Sequence, residues 1–203
     1  MKSFILGSSP VTRLKKYIKT HEVQLARHQL KIQVVNGGMV NSFFRYLVDI
    51  NKFQPNVVVL QIGSNDVGNI ENYVENVGNA MKYFIDMLYD MNVQHVIVGL
   101  LLNRNWVLPK RGLTVYRYNE RVYDLNCELD KMASCCDHQM TFWVHRGLQY
   151  PSCPILKTDG VHLNDEGNRR LLTNIRGALL FAENSYNGKF FQNLNIIIKT
   201  GTW

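Results

Sequence analysis

The chain has 203 residues, of which 46% are hydrophobic and 19% are charged, and a length of this order usually forms one domain. That amount of apolar material excludes a chain that is disordered over most of its length. The formal net charge of +7 suggests a nucleic-acid partner, but the basic residues are scattered and form no recognisable binding motif, so this partner is only weakly supported.

Short apolar runs alternate with longer amphipathic segments along the chain. Five runs predict buried parallel strands: Phe4–Leu6, Ile32–Val35, Val57–Ile62, Val96–Leu102 and Thr141–Val144. Five segments have helical spacing of apolar residues: Val11–Leu25, Val40–Ile50, Ile70–Met91, Tyr116–Met132 and Glu166–Phe181. The alternation predicts an α/β protein, a three-layer α/β/α sandwich around a central parallel sheet.

We expect residues 1–184 to form this domain and residues 185–203 to form a C-terminal tail. Within the tail, Asn195–Lys199 has the pattern of a strand, so the tail either adds an edge strand or is loose. The longest irregular connection is Asn103–Leu113, and connections of that length often lie over a functional site.

Nothing in the sequence predicts secretion or membrane insertion. The longest apolar stretch, Val96–Leu102, has seven residues, whereas a transmembrane helix needs about 18 or more. The apolar start of the chain is too short for a secretory signal. The four cysteines have neither disulfide-framework nor zinc spacing; they are Cys127, Cys135, Cys136 and Cys153. We therefore expect an intracellular, cytoplasmic protein with reduced thiols, no metal and no other cofactor.

Polar residues follow three of the predicted strands at the points where those strands end. Gly7-Ser8-Ser9 follows the first strand, Asn36-Gly37-Gly38 the second and Gly63-Ser64-Asn65-Asp66 the third. Because the carboxyl ends of parallel strands meet at one edge of a sheet, we expect these clusters to lie together. Each cluster taken alone is also explained as a helix cap or a turn.

A carboxylate and a histidine stand three positions apart, directly before the last predicted helix. Asp159 can orient the imidazole of His162 and stabilise its charged form, which leaves the other ring nitrogen to accept a hydroxyl proton. The pair therefore predicts a general base for a serine nucleophile, although a single histidine at this position is also compatible with a structural role.

The four polar clusters, in this order, resemble those of the SGNH (GDSL-type) hydrolase family. Asp-Gly-Val-His-Leu-Asn at residues 159–164 is similar to the last motif of the family, and Gly-Ser-Asn-Asp at residues 63–66 is similar to its Gly-x-Asn-Asp motif. The resemblance covers about residues 4–180. It implies an α/β/α hydrolase that cleaves carboxylic esters and needs no cofactor.

The resemblance also implies a role for each matching residue. Ser9 would be the nucleophile, and Asp159 with His162 would complete a catalytic triad. Gly38 and the side chain of Asn65 would join the backbone N–H of Ser9 in an oxyanion hole. The substrate would be an ester of a small molecule, a lipid or a carbohydrate; which ester it is, and the oligomeric state, are left open.

One position departs from the family pattern. The first motif usually reads Gly-Asp-Ser, whereas this chain has Gly7-Ser8-Ser9. The change removes a supporting carboxylate and keeps the nucleophile, so Ser8→Asp is expected to support the nucleophile loop from a strand end outside any packed layer. The alternative function is a catalytically degenerate SGNH-like binding domain of a mobile-element or nucleic-acid-associated protein.

Overall fold

The computed structural model describes residues 1–108, 112–135, 139–149 and 154–186. At its centre lies a five-stranded sheet in which every neighbouring pair is parallel, in the order β2-β1-β3-β4-β5. The strands are β1 (Lys2–Gly7), β2 (Gln29–Val34), β3 (Val57–Gln61), β4 (His95–Gly99) and β5 (Met140–Trp143).

Helices cover both faces of the sheet. They are α1 (Ser9–Thr20), α2 (Leu47–Phe53), α3 (Val74–Asp90), α4 (Val115–Cys135) and α5 (Asp165–Tyr186), with a 3₁₀ helix at Val40–Tyr46 before α2. On one face α1 and α5 pack against the sheet, and on the other face the 3₁₀ helix, α2, α3 and α4 do so. The predicted three-layer α/β/α sandwich is therefore confirmed.

The central strands are apolar throughout because they are buried on both faces. Successive residues alternate between the two cores: Val58 and Leu60 of β3 face the layer of α3 and α4, whereas Val57 and Val59 face the layer of α1 and α5. Burying one such aliphatic side chain stabilises the fold by roughly 1.5–3 kcal/mol relative to leaving it exposed. The continuous apolar run of β3 in the sequence thus reflects burial on two sides.

The predicted elements are present, with shifted ends. The expected helix at Ile70–Met91 begins at Val74, because residues 63–72 form a series of turns instead. The expected strand Val96–Leu102 ends at Gly99. Asn195–Lys199 lies outside the described residues, and the division at residue 184 stays a prediction. Within the described ranges, no helix is both long enough and apolar enough to span a membrane.

Candidate active site

The register of the sheet brings the three strand-end clusters to one edge. Gly7, the last residue of β1, lies opposite Val34 of β2 on one side and Gln61 of β3 on the other. The segments that follow these three strands therefore leave the sheet at the same level. This is the edge at which open parallel sheets place their ligand sites.

Ser9 is the first residue of α1, and Ser8 before it makes the turn from strand to helix. The Ser8 N–H donates to the carbonyl of Gln61 (3.2 Å), and the Ser8 carbonyl accepts from the N–H of Thr12 (3.1 Å). Pro10 is tolerated at this position because the first N–H groups of a helix have no partner within the helix. These bonds hold Ser9 at the start of the helix, beside the ends of β1 and β3.

Asp159 and His162 form a hydrogen-bonded pair in the loop before α5. The His162 Nδ1 lies 2.8 Å from Oδ2 of Asp159, while Oδ1 accepts the backbone N–H groups of Val161 and His162, each at 2.9 Å. Partial burial alone would raise the pKa of Asp159, but the three hydrogen bonds and the nearby imidazole hold it well below its ordinary value. An ionised Asp159 favours the tautomer with the proton on Nδ1, which leaves Nε2 as an acceptor.

Three of the predicted site residues line a single cavity of about 210 Å³: Ser9, Asn65 and His162. Gly37, next to the predicted Gly38, also lines it, as do Arg104 and Trp106 from the loop after β4. No hydrogen bond joins Ser9 Oγ to the imidazole of His162 among the described residues. The structure thus brings Ser9, Asn65 and His162 to one cavity, which Gly38 and Asp159 do not line, and the triad as a hydrogen-bonded unit stays a prediction.

The amide of Asn65 is buried and oriented by two neighbours. Its Nδ2 donates to the carbonyl of Gly38 (3.0 Å), and its Oδ1 accepts from Nη2 of Arg104 at 3.5 Å. A flipped amide would place oxygen against oxygen and nitrogen against guanidinium, so both contacts favour the same orientation. In this orientation the second N–H of the amide remains available for an oxyanion.

The backbone N–H of Gly38 is engaged in a turn. It donates to the carbonyl of Val35 at 3.1 Å. To act as an oxyanion donor, this N–H would have to leave that turn when the substrate binds. The role of Gly38 in an oxyanion hole therefore stays a prediction.

Asp66 has a structural role that the sequence motif does not reveal. Its buried carboxylate accepts the N–H of Val40 with both oxygens, at 3.0 and 3.2 Å. Burial raises the pKa of Asp66 to about 6, and the hydrogen bond from Val40 opposes this shift. Asp66 thereby ties the segment after Gly38 to the segment that carries Asn65. Neither Asn65 nor Asp66 caps α3, which begins at Val74.

Position 8 is packed, contrary to the expectation that it lies outside any packed layer. Ser8 is 1% exposed, and its hydroxyl has no hydrogen-bond partner among the described residues. Ser8 directly precedes α1, and almost all of its surface is buried. An aspartate here would have to bury its carboxylate, which the sequence pattern alone does not show.

Arg104 is a site residue that sequence reasoning missed. Its guanidinium lies 4.6 Å from the centre of the Tyr118 ring and reaches the amide of Asn65. The residue belongs to no motif, and the only sequence signal was the long connection that contains it. Within the part of the chain that the structure describes, no cluster of three or more histidine, cysteine or acidic residues is arranged to hold a metal ion.

The parallel α/β/α fold, with serine, asparagine and histidine around one cavity at the carboxyl edge of the sheet, defines the class of SGNH/GDSL-type hydrolases. The sequence matches the GDSL-like lipase/acylhydrolase family over residues 9–175, and the chain belongs to this family. No curated protein matches the chain.

Solved structures with the same fold share little sequence with this chain. A GDSL-like lipase from Bacteroides thetaiotaomicron is 16% identical, with a TM-score of 0.69 over 89% of this chain and 88% of its own. A carbohydrate esterase family 3 protein from Talaromyces cellulolyticus is 13% identical, with a TM-score of 0.64 over 91% and 99%. The lipase/acylhydrolase from Enterococcus faecalis is 17% identical, with a TM-score of 0.59 over 88% and 95%.

Proposed function

We propose that the protein hydrolyses carboxylic esters with Ser9 as the nucleophile. The observation that carries the proposal is that Ser9, Asn65 and His162 line one cavity, while Asp159 holds the imidazole at 2.8 Å. A serine, a histidine whose second nitrogen is free to accept a proton, and an amide N–H beside them are the groups that acyl transfer requires. Membership of an acylhydrolase family supports the same chemistry.

The reaction proceeds in two halves. Ser9 Oγ attacks the ester carbonyl carbon as Nε2 of His162 takes the hydroxyl proton, and the resulting imidazolium is stabilised by Asp159. The developing oxyanion accepts the N–H of Ser9 and the amide of Asn65, together with the N–H of Gly38 once it leaves its turn. The imidazolium then gives its proton to the departing alcohol. Water, activated by the same imidazole, releases the acid and restores the hydroxyl of Ser9.

The size of the cavity favours a short acyl group. Drug-sized ligands occupy pockets of about 300–1,000 Å³, whereas this cavity measures about 210 Å³. An acetyl or similarly short ester fits such a space better than a long-chain lipid ester does. The proposed substrates are therefore short-acyl esters of small molecules or carbohydrates.

The adjacent serines provide a matched test of the nucleophile. The parent protein and Ser8→Ala are treated with a fluorophosphonate probe beside Ser9→Ala, and hydrolysis of p-nitrophenyl acetate is measured for all three. We expect one labelled serine and ester turnover in the parent and in Ser8→Ala, and neither in Ser9→Ala. Labelling of Ser9→Ala would contradict the assignment. A parent protein that neither labels nor turns over ester would instead support the degenerate binding domain.

The remaining groups are tested by their effect on turnover. His162→Ala should reduce hydrolysis to the background rate, because His162 is the proton acceptor among the described residues that line the cavity with Ser9. Asn65→Ala should keep the native circular dichroism spectrum and lower kcat by about 10²-fold or more, as the loss of one oxyanion donor does. Asp159→Asn should lower kcat less than His162→Ala does, since Asp159 orients the base without touching the substrate. Full activity of Asn65→Ala would exclude the amide from the oxyanion hole.

A further inference from the structure

Two arginines flank the proposed nucleophile. Arg13 lies on α1 four residues after Ser9, hence one helical turn away, and Arg104 comes from the loop after β4. Both line a narrow cavity of about 20 Å³ together with Ser9 and His162. Asn65, the proposed oxyanion donor, does not line this second cavity. Arg13 therefore lies on the side of Ser9 away from Asn65, whereas Arg104 also lines the larger cavity and lies between the two.

Arg104 is held in place by contacts that leave its charge uncompensated. The side chain of Asn119 on α4 makes two hydrogen bonds with the backbone of Arg104. Its Oδ1 accepts the Arg104 N–H, and its Nδ2 donates to the Arg104 carbonyl, each at 2.9 Å. The guanidinium rests on the ring of Tyr118, which is fully buried. A cation is attracted to an aromatic face, but the ring carries no net charge.

Neither of these arginines has an acidic partner within the described part of the chain. In the described ranges Arg117 pairs with Glu120, and Arg169 and Arg170 pair with Glu166, whereas Arg13 and Arg104 form no ion pair. Arg104 makes one long hydrogen bond, to Asn65 at 3.5 Å, although a guanidinium has five N–H donors. Most of its hydrogen-bonding capacity thus remains available to a ligand.

We infer that the ester substrate carries an anionic oxygen group, a carboxylate or a phosphate, on its alcohol part; this rests on the proposed ester hydrolysis at Ser9. His162 returns its proton to the departing alcohol, so the alcohol must lie on the histidine side of Ser9. Arg13 and Arg104 both reach this side of Ser9, and Arg104 also lines the larger cavity proposed to hold the ester. Guanidinium groups bind carboxylate and phosphate oxygens through paired N–H donors, which makes both arginines specificity determinants for such an alcohol.

Three acetate esters with the same aryl skeleton test the inference. They are 4-acetoxybenzoate and 4-acetoxyphenyl phosphate, which are anionic, and methyl 4-acetoxybenzoate, which is neutral. Each kcat/KM is divided by the rate with hydroxide to correct for intrinsic reactivity. The parent should prefer at least one anionic ester about tenfold or more, as expected for hydrogen bonds to a charged group, and the preferred ester tells carboxylate from phosphate.

The variants separate charge recognition from general damage. Arg104→Gln and Arg13→Gln should each lower the ratio of anionic to neutral kcat/KM, with about a tenfold loss for Arg104→Gln. Arg104→Lys keeps the charge and should retain most of the ratio. Because the ratio is taken within one protein, a general loss of activity cancels. A ratio near one in the parent, or one that Arg104→Gln does not change, would overturn the inference.

Binding without turnover keeps this inference distinct from the proposed function. In the Ser9→Ala background, NMR titration gives the affinity for the same three esters, with and without Arg104→Gln. Tighter binding of an anionic ester that Arg104→Gln abolishes supports the anion site, even if the parent protein hydrolyses none of them. In that outcome the proposed hydrolysis fails and the anion site stands. Equal affinity for all three esters overturns the anion site whatever the turnover.

Discussion

A buried histidine beneath the site predicts how the stability of the protein depends on pH. His145 follows β5, is 1% exposed, and places Nε2 at 2.7 Å from Oε1 of Gln61 at the end of β3. The amide of Gln61 in turn donates to the carbonyl of Leu100 after β4 (2.9 Å). His145, Gln61 and the carbonyl of Leu100 therefore connect the carboxyl ends of β3, β4 and β5. Because Oε1 of Gln61 can only accept, Nε2 of His145 carries the donated proton, and burial keeps the ring neutral at pH 7.

The size and sign of the effect follow from the pKa of this group. Burial lowers the pKa of His145 from 6.5 to about 4. Below pH 6.5 the unfolded chain takes up a proton at this residue, whereas the native protein does so only near pH 4. The contribution of neutral His145 to the free energy of unfolding is thus fully present above pH 6.5 and is lost as the pH falls to about 4. At ~1.4 kcal/mol per pH unit, the loss over this range is about 3 kcal/mol.

Urea denaturation at pH 7, 6, 5 and 4.5 measures this loss, with His145→Gln as the comparison. The glutamine can donate its amide to Gln61 but does not titrate. All other groups titrate in both proteins, including His95, whose pKa burial also lowers to about 4, so the difference between the two pH profiles isolates residue 145. We expect the fall in free energy of unfolding to be about 2–3 kcal/mol smaller in the variant. Equal falls in the two proteins would refute the buried neutral histidine.

Three further substitutions test local packing and charge through thermal melting. Asp66→Asn keeps an acceptor for the Val40 N–H but removes a carboxyl group whose pKa is raised to about 6 in the native state. In the parent, protonation of this group stabilises the native state as the pH falls below about 6, and the asparagine cannot do this. The Tm of the variant relative to that of the parent should therefore fall between pH 7 and pH 5. Ser8→Ala should keep or raise the Tm, because the lost hydroxyl is buried and has no partner among the described residues; a loss of stability above ~1 kcal/mol would show a missed hydrogen bond. Gly7→Ala should lower the free energy of unfolding by about 1–3 kcal/mol, because its new Cβ would overlap the buried side chain of Val11. An unchanged Tm would show that this turn can shift.

The fold could be predicted because its strands are buried on both faces and its helices are amphipathic. The first residue of α3 could not be predicted from the sequence, for a physical reason. Ile70 and Tyr73 continue the apolar spacing of the helix, yet they are 53% and 74% exposed and precede its first residue. Gly63 adopts a φ of 102°, and the backbone hydrogen bonds of the following residues close turns that apolar periodicity does not reveal.

The site could be predicted only where the chemistry belongs to a motif. Asp159 and His162 are three positions apart, so the pair is visible in the sequence and its 2.8 Å contact is local. The position of Arg104 depends on Asn119, a contact between a loop and a helix that no local pattern encodes. The engagement of the Gly38 N–H in a turn is likewise a backbone detail that side-chain identities do not specify.

The serine at position 8 and the two arginines both make the site more positive than it would be with the carboxylate of the family motif. The family motif has a carboxylate immediately before the nucleophile, and Ser8 removes it. Returning the carboxylate with Ser8→Asp would place a negative charge next to Ser9, where it would oppose the attraction of Arg13 and Arg104 for an anionic ester. We therefore expect Ser8→Asp to lower the ratio of anionic to neutral kcat/KM, while Ser8→Asn, which has a similar shape and no charge, should keep it. The two ratios are compared at pH 8, which favours the ionised form of the aspartate. Equal ratios in the two variants would show that position 8 does not set the electrostatics of the site.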